Sequence, residues 1–377
     1  MRAAFYAPMK PPDHAVPSGD RSIARLFLAA LQRARFATEV ASSLRTWCKE
    51  PEGLARLQPQ AAIEAARLTA RWQADPPDLW FTYHVYYKAP DWIGPAVCRT
   101  LGIPYVIAEA SYAPKRAAGP WAAGHAAAGA AIRDADMILS PTRLDMNCIA
   151  GLLHNKNRNV FFPPFLDHAP FARARDDRDR LRAACARDYD LDPAVPWLLT
   201  VAMMRDDAKR ESYAVVARLL EHLRDTDYRY LVVGDGPAAD DVKRMLSPWR
   251  DRIRFAGAVG PEALPAIYAA GDVYVWPAVD EAFGMAFLEA QAAGLPVVAG
   301  NERGVPDVTL DGTTALLAPP QDDKAQALMV RRLLTDGALR TTMSRAASEF
   351  VGRERSLDGA AQRLGGLLRP LLGGHGS

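Results

Sequence analysis

Five short apolar runs punctuate the second half of the chain: PWLLTVAMM, YRYLVVGDG, RIRFAGAV, DVYVWPA and LPVVAG, each followed by a helix-like or loop stretch. Short apolar runs alternating with longer amphipathic ones are the pattern of α/β layering, in which helices cover both faces of a parallel sheet. The first half shows the same alternation. RAAFYAP, DLWFTYH, IPYVIAE and MILSP read as strands, while RSIARLFLAALQRA and AAGHAAAGAAIRDA read as helices. The loop PMKPPDHAVPSGD is too rich in proline to be helical. A length of 377 residues points to two domains, and NVFFPPFLDHAPF has the prolines and the position of the connection between them. The expected division is 1–168 and 169–351, with a C-terminal helix over about 352–372 packing back on the first domain. The tail LLRPLLGGHGS reads as a short apolar helix end and a frayed terminus. The fold class is therefore two Rossmann-like, doubly wound α/β domains facing each other across a cleft, with ligands at the carboxyl ends of the strands.

Composition narrows the function. A hydrophobic fraction of 49% supplies full cores, and a net charge of +2 argues against a dedicated nucleic-acid binder. Residues 1–165 carry a balance of +6 and the remainder −4, a mildly basic first half that reads as solvated surface. The four cysteines, Cys48, Cys98, Cys148 and Cys185, are far apart and fit a reducing compartment. No window approaches 18 uninterrupted apolar residues, and the N-terminus has no long apolar signal core. A cytoplasmic protein is expected, with the inner face of a membrane left open. For RLFLAALQRARFATEV, an amphipathic helix bearing Arg25, Arg33 and Arg35 with Arg21 just before it, packing on the core competes with lying on anionic lipid.

The chemistry concentrates in DEAFGMAFLEAQAAG, residues 280–294. Pro277 closes the strand DVYVWP, and Gly294 is a C-terminal stop for a helix starting near Gly284. Glu281 then lies on the strand-to-helix loop and Glu289 on the helix itself. The backbone amides of Phe283, Gly284 and Met285 form a helix N-terminus, with unpaired N–H donors that suit a phosphate. Two acceptor-only carboxylates flanking an anion site suit hydroxyl groups on either side of that anion, the layout of a nucleoside-diphosphate sugar.

EAFGMAFLE, with VAMMRDDAKRESYAVVARLL, LVVGDGP and the stretch from RIRFAGAV to LLAPPQD, resembles the retaining family-4 (group 1) glycosyltransferases of GT-B fold, in the family's usual order over about residues 197–322. The first half resembles that family more loosely. The resemblance implies a nucleotide-sugar donor, a hydroxyl acceptor (glycan, lipid-linked or small molecule) and no cofactor; no essential metal is expected, because Arg205 and Lys209 already neutralise the diphosphate. It makes Glu289 the ribose-binding glutamate and Glu281 the one that contacts the transferred sugar. The Phe283–Gly284–Met285 backbone meets sugar hydroxyls and the distal phosphate. Arg205 and Lys209 resemble the cationic pair on the diphosphate; their spacing is four where five is usual, so Arg210 competes with Lys209. Gly257 and Val259, in the loop AGAVG, edge the base. Gly19 stands where a glycine-rich loop approaches the phosphates, although the paired glycines are missing and Ser18 or Asp20 also reads as a plain helix cap. His84, ending DLWFTYH, orients the acceptor or is packed. Glu109 stands where many relatives have a histidine. It replaces that histidine, binds acceptor hydroxyls, or pairs structurally with Lys115 or Arg116.

Two chemical routes stay open on the sequence, a double displacement through a carboxylate and a same-face substitution. The triplets Asp188/Asp190, Asp190/Asp192 and Asp225/Asp227 read as surface charge rather than metal ligands. The Gly-X-Gly of VVGDGP lacks the third glycine of a dinucleotide site. The alternatives of another class are a GT-B nucleotide-sugar epimerase or hydrolase, and a non-catalytic nucleotide-sugar-binding protein.

Overall fold

The computed structural model describes residues 1–16 and 18–373, and divides into two compact units. The first comprises Met1–Pro163 together with the chain from Leu357 onward, and the second is Pro164–Ser356. Pro17, in the proline-rich loop, and residues 374–377 of the tail lie outside the described residues.

Six strands form the sheet of the first unit: β1 Arg2–Tyr6, β2 Ala37–Ser42, β3 Leu79–Val85, β4 Tyr105–Ala110, β5 Met137–Ser140 and β6 Asn159–Phe161. All pairs are parallel, in the order β2-β1-β3-β4-β5-β6. The second unit has β7 Trp197–Val201, β8 Arg229–Val233, β9 Ile253–Gly257, β10 Val273–Trp276, β11 Val297–Gly300 and β12 Ala315–Ala318. It too is all parallel, in the order β12-β11-β10-β7-β8-β9. Winding reverses between β1 and β3 in one sheet and between β7 and β10 in the other. At such points the loops leaving two adjacent strands diverge and open a crevice at the carboxyl ends.

Three strands escape the sequence reading, β2, β6 and β12. β2 is the clearest correction. RLFLAALQRARFATEV is not one helix: the helix Gly19–Arg33 stops, Arg35 takes φ 69°, and the Phe36 amide bonds back to the Leu31 carbonyl at 3.0 Å. The remainder enters β2, a half-exposed edge strand. Ala24, Phe27, Ala30 and Leu31 of the helix are buried, and Arg33 pairs with Asp358 at 2.8 Å on the helix Leu357–Leu372, which packs beside it. Its apolar face is used inside the unit, as the core-packing reading of this helix expects. No helix of the described residues is long and apolar enough to cross a membrane. β6 lies within NVFFPPFLDHAPF, and the unit boundary falls just after it, between Pro163 and Pro164.

The two glycines of VVGDGP have a packing role. At φ 141° and 153°, Gly234 and Gly236 press the loop after β8 onto the loop after β7; a Cβ on them would sit 1.9 Å from the Ala202 oxygen and 2.4 Å from the Met204 oxygen. Bonds from the Met204 amide to Asp235 (2.9 Å) and from the Ala238 amide to Met204 (2.8 Å) lock the two loops. The segment leading to Arg205 is thereby held at the edge of the sheet.

Candidate functional site

In the second unit the switch point gathers the segments that leave β7 and β10. Asp207 caps the helix Ala208–Glu221, accepting from the Lys209 amide at 2.9 Å. The Lys209 ammonium reaches across to the Glu281 carboxylate and lies 5.4 Å from the centre of the Trp276 ring. The Trp276 indole N–H donates to the same Glu281 oxygen at 3.3 Å. Lys209 and Glu281 are both largely shielded, at 20% and 16% exposure, so their attraction is far less screened than a surface pair's. Arg210 is engaged elsewhere, by Asp241 at 3.0 Å, so it is Lys209 and not Arg210 that meets Glu281. Arg205 stands half exposed on the loop and pairs with Asp207 at 3.0 Å; the structure does not bring it to Glu281.

The loop that carries Glu281 is tightly coiled. Ala278, Asp280 and Gly284 have φ of 64°, 52° and 72°, and non-glycine residues in this region cost of order 1–3 kcal/mol each. Fixed contacts hold that strain in place. The Val279 amide donates to the Ser212 hydroxyl at 3.0 Å, the Gly304 amide to the Glu281 carbonyl at 3.3 Å, and Asp280 pairs with Arg303. Gly284 opens the helix Met285–Ala292 with no side-chain cap, and a Cβ there would meet Phe287 at 2.5 Å. Phe283 and Met285, on either side of it, are partly exposed. Glu289, one turn further on, is partly buried and accepts from the Tyr268 hydroxyl at 2.8 Å. Burial pushes its carboxyl up to about 7, against the opposing pull of that hydrogen bond.

Gly257 ends β9 at φ 68° with open space where a Cβ would project, and Val259 packs partly on the core. Both lie at the carboxyl edge of the sheet, on the β9 side.

The first unit has its own cluster at its own switch point. Asp20, in the first turn of the helix after β1, holds the His84 Nδ1 at 3.0 Å, and His84 Nε2 lies 3.4 Å from the Glu109 carboxylate. His84 and Glu109, next to last in β3 and β4, have φ of 64° and 63°, which turns both side chains off the strand alternation. Ser18 is the helix cap, accepting from the Arg21 amide at 3.3 Å, so Asp20 is released for His84. Gly19 has open space around it. Glu109 is buried at 6% exposure, and its partner is His84 rather than Lys115 or Arg116. Burial raises the Glu109 carboxyl to about 7, with the His84 charge pulling the other way. Burial alone would lower His84, but Glu109 and Asp20 outweigh it and raise the imidazole. Asp20 is lowered, its bond to His84 overcoming burial.

The sequence reading missed Asp20, Ser212, Tyr268 and Trp276 as site-building residues. Trp276 carried a faint signal, as the aromatic that closes β10. Tyr268 carried none, since its link to Glu289 spans 21 positions and exists only in the fold. Among the described residues no group of three or more His, Cys, Asp or Glu is arranged to hold a metal ion. Asp190, Asp225 and Asp227 pair with Arg254, Arg331 and Arg229. All four cysteines are free.

Residues 195–336 match the family model described as "Glycosyl transferases group 1". The alpha-D-kanosaminyltransferase of Streptomyces kanamyceticus is 31% identical over 197 residues, which cover 52% of this chain and 50% of that protein. The match thus spans about half the length of that relative. The 2-deoxystreptamine glucosyltransferase of the same organism is 28% identical over 316 residues, covering 80% and 79%. Anabaena HepE, solved in complex with UDP and glucose, superimposes with a TM-score of 0.71 at 15% identity, covering 98% of this chain and 99% of that one.

Proposed function

Given that the chain is a group 1 glycosyltransferase of GT-B fold, we propose that it moves a hexosyl unit from a nucleoside-diphosphate sugar to a hydroxyl acceptor with retention of configuration. The observation that carries this reading is the pair of carboxylates around the Gly284 helix start, Glu281 held by Lys209 and Trp276 and Glu289 held by Tyr268. Tyr268 occupies one oxygen of Glu289, and the other accepts from a ribose hydroxyl. Glu281 accepts from a hexose hydroxyl. Lys209 and the amides at the helix start face the diphosphate, where negative charge grows as the bond to the anomeric carbon breaks. Arg205, on its exposed loop, closes over the same phosphates when donor arrives.

The bond from the anomeric carbon to the diphosphate oxygen breaks, and a bond to the acceptor oxygen forms on the same face. The acceptor proton passes to the departing phosphate oxygen. This route is favoured over double displacement because Glu109 is buried and already engaged by His84 at 3.4 Å, and Glu281 is held by Lys209 and Trp276, so neither carboxylate is a free nucleophile. His84 and Glu109 serve the acceptor instead. With Lys209 and Arg205 neutralising the diphosphate, the reaction requires no metal. The product belongs to bacterial glycan, polysaccharide or glycolipid synthesis, made on the cytoplasmic side.

The test is incubation with UDP-glucose and GDP-mannose, each with glycan, lipid-linked and small-molecule acceptors, and assignment of the new linkage by NMR. An α-linked product is expected. A β-linked product would refute retention, and equal donor consumption with and without acceptor would favour an epimerase or hydrolase.

A further inference from the structure

Beside the Asp20–His84–Glu109 cluster a chain of aromatic rings runs along the carboxyl edge of the first sheet. The His84 and Tyr86 rings lie 5.0 Å apart, Tyr86 and Tyr87 5.4 Å, and Tyr87 and Trp121 5.3 Å. Trp47 joins from the other side, its indole N–H donating to the Tyr86 hydroxyl at 3.0 Å. These rings come from the loops after β2, β3 and β4, and all are partly exposed. The wall is preformed. The Cys48 amide bonds to the Lys88 carbonyl at 2.9 Å and the Thr46 hydroxyl to the Pro90 carbonyl at 2.7 Å. The helix starting at Ala122 comes so close that a Cβ on Gly124 would sit 2.1 Å from the Tyr87 oxygen.

Three cations lie on this wall. Arg45 is 5.4 Å from the Trp47 ring centre, Lys88 is 4.9 Å from that of Trp121, and Arg116 is 5.1 Å from that of Tyr87. Among the described residues none of the three has a carboxylate within ion-pair distance. Arg45 bonds only to the Met9 carbonyl and the His14 ring, and the other two have only their aromatic neighbour. The nearest acids of the cluster are themselves committed, Asp20 to His84 and Glu109 to burial beside it. Aromatic faces pack against the C–H faces of sugar-like rings, and uncompensated cations at fixed positions attract an oxyanion.

We propose that this wall is a binding subsite for a polyhydroxylated ring that bears an oxyanion, phosphate or carboxylate, with Trp47, Tyr87 and Trp121 under the ring and Arg45, Lys88 and Arg116 on the anion. Its role as the acceptor subsite rests on the transferase reading; the binding itself does not. The acceptor hydroxyl is then the one nearest His84 and Glu109, and the anion fixes which hydroxyl that is.

The experiment follows the tryptophan indole N–H resonances of the full-length protein by NMR, with Trp47 and Trp121 assigned through Trp47→Phe and Trp121→Phe. Glucose 6-phosphate, glucuronate and glucose are titrated separately. One or both anionic sugars should move the Trp47 and Trp121 signals saturably, at concentrations about tenfold or more below neutral glucose. The stronger of the two identifies the anion. Lys88→Ala and Arg116→Ala, both on surface loops, should weaken that binding about fivefold or more while glucose is unaffected. Glucose binding as tightly as both anions, unaltered anion affinity in both variants, or no movement of either signal by any of the three would overturn the proposal. UDP titrated into the same samples reads the donor site independently, so loss of that response counts against the transferase reading and not against this subsite.

Discussion

Replacing Glu289 by Gln separates a recognition carboxylate from a merely structural one, because the wild-type group titrates in an accessible range. Its carboxyl sits at about 7, raised by burial on the helix Met285–Ala292. If the ionised form alone accepts the ribose hydroxyls, a proton competes with the donor. Apparent affinity then falls as pH drops through 7, and the dissociation constant rises about tenfold between pH 8 and pH 6. Glutamine keeps the shape and the tyrosine contact but offers a neutral acceptor. Hydrogen bonds to charged groups contribute about 1.5–3 kcal/mol, so Glu289→Gln should weaken donor binding at pH 8 by about 10- to 150-fold. It should also flatten the pH dependence. The assay is calorimetric titration with UDP-glucose or GDP-mannose, whichever binds, since neither carries a phosphate that titrates between pH 6 and pH 8. Wild-type affinity in Glu289→Gln, or a pH slope that survives the substitution, would refute the reasoning.

Further outcomes rest on the same geometry. Lys209→Ala should cut kcat by about 10²- to 10³-fold, the usual loss when a stabilising donor is removed from a leaving group; an unchanged kcat would leave Arg205 as the sole cation that matters. Gly284→Ala forces a left-handed residue and a contact with Phe287, and should cost of order 1–3 kcal/mol in chemical denaturation of the second unit. Glu109, raised from 4.5 to about 7, contributes stability that is fully present below pH 4.5 and lost as pH rises through 7. Glu109→Gln should therefore gain stability relative to wild type between pH 5 and pH 8, and a pH-independent difference would refute the shift. Activity should survive EDTA; activity abolished by EDTA and restored by Mn²⁺ would place a metal in the reaction.

Much of the fold was legible because parallel strands buried on both faces leave continuous apolar runs, as in LVVG and VYVWP. The strands that were missed lie at sheet edges, where burial is one-sided or the run is short. β2 reads ATEVAS and β6 only NVF, and neither is a continuous apolar run. Glu281 and Glu289 were legible because one short segment carries both. Lys209 was legible only in part, since the choice between it and Arg210 depends on how the helix Ala208–Glu221 is turned. The cap at Asp207 and the contact with Trp276 settle that turn, and both are tertiary. The Asp20–His84–Glu109 chain was not legible at all as a unit. Its members are separated by 64 and 25 positions and meet because the first sheet reverses its winding between β1 and β3, while left-handed backbone at His84 and Glu109 aims both side chains off the strand.

The central claim is that the carboxylates beside Gly284 form a nucleoside-diphosphate site. It is tested most directly by titrating UDP, GDP, ADP and CMP into the wild-type protein and into Glu289→Gln in a calorimeter. The account predicts micromolar binding of one diphosphate by the wild type and marked weakening in the variant. Absence of binding by all four, or equal binding by both proteins, would contradict it.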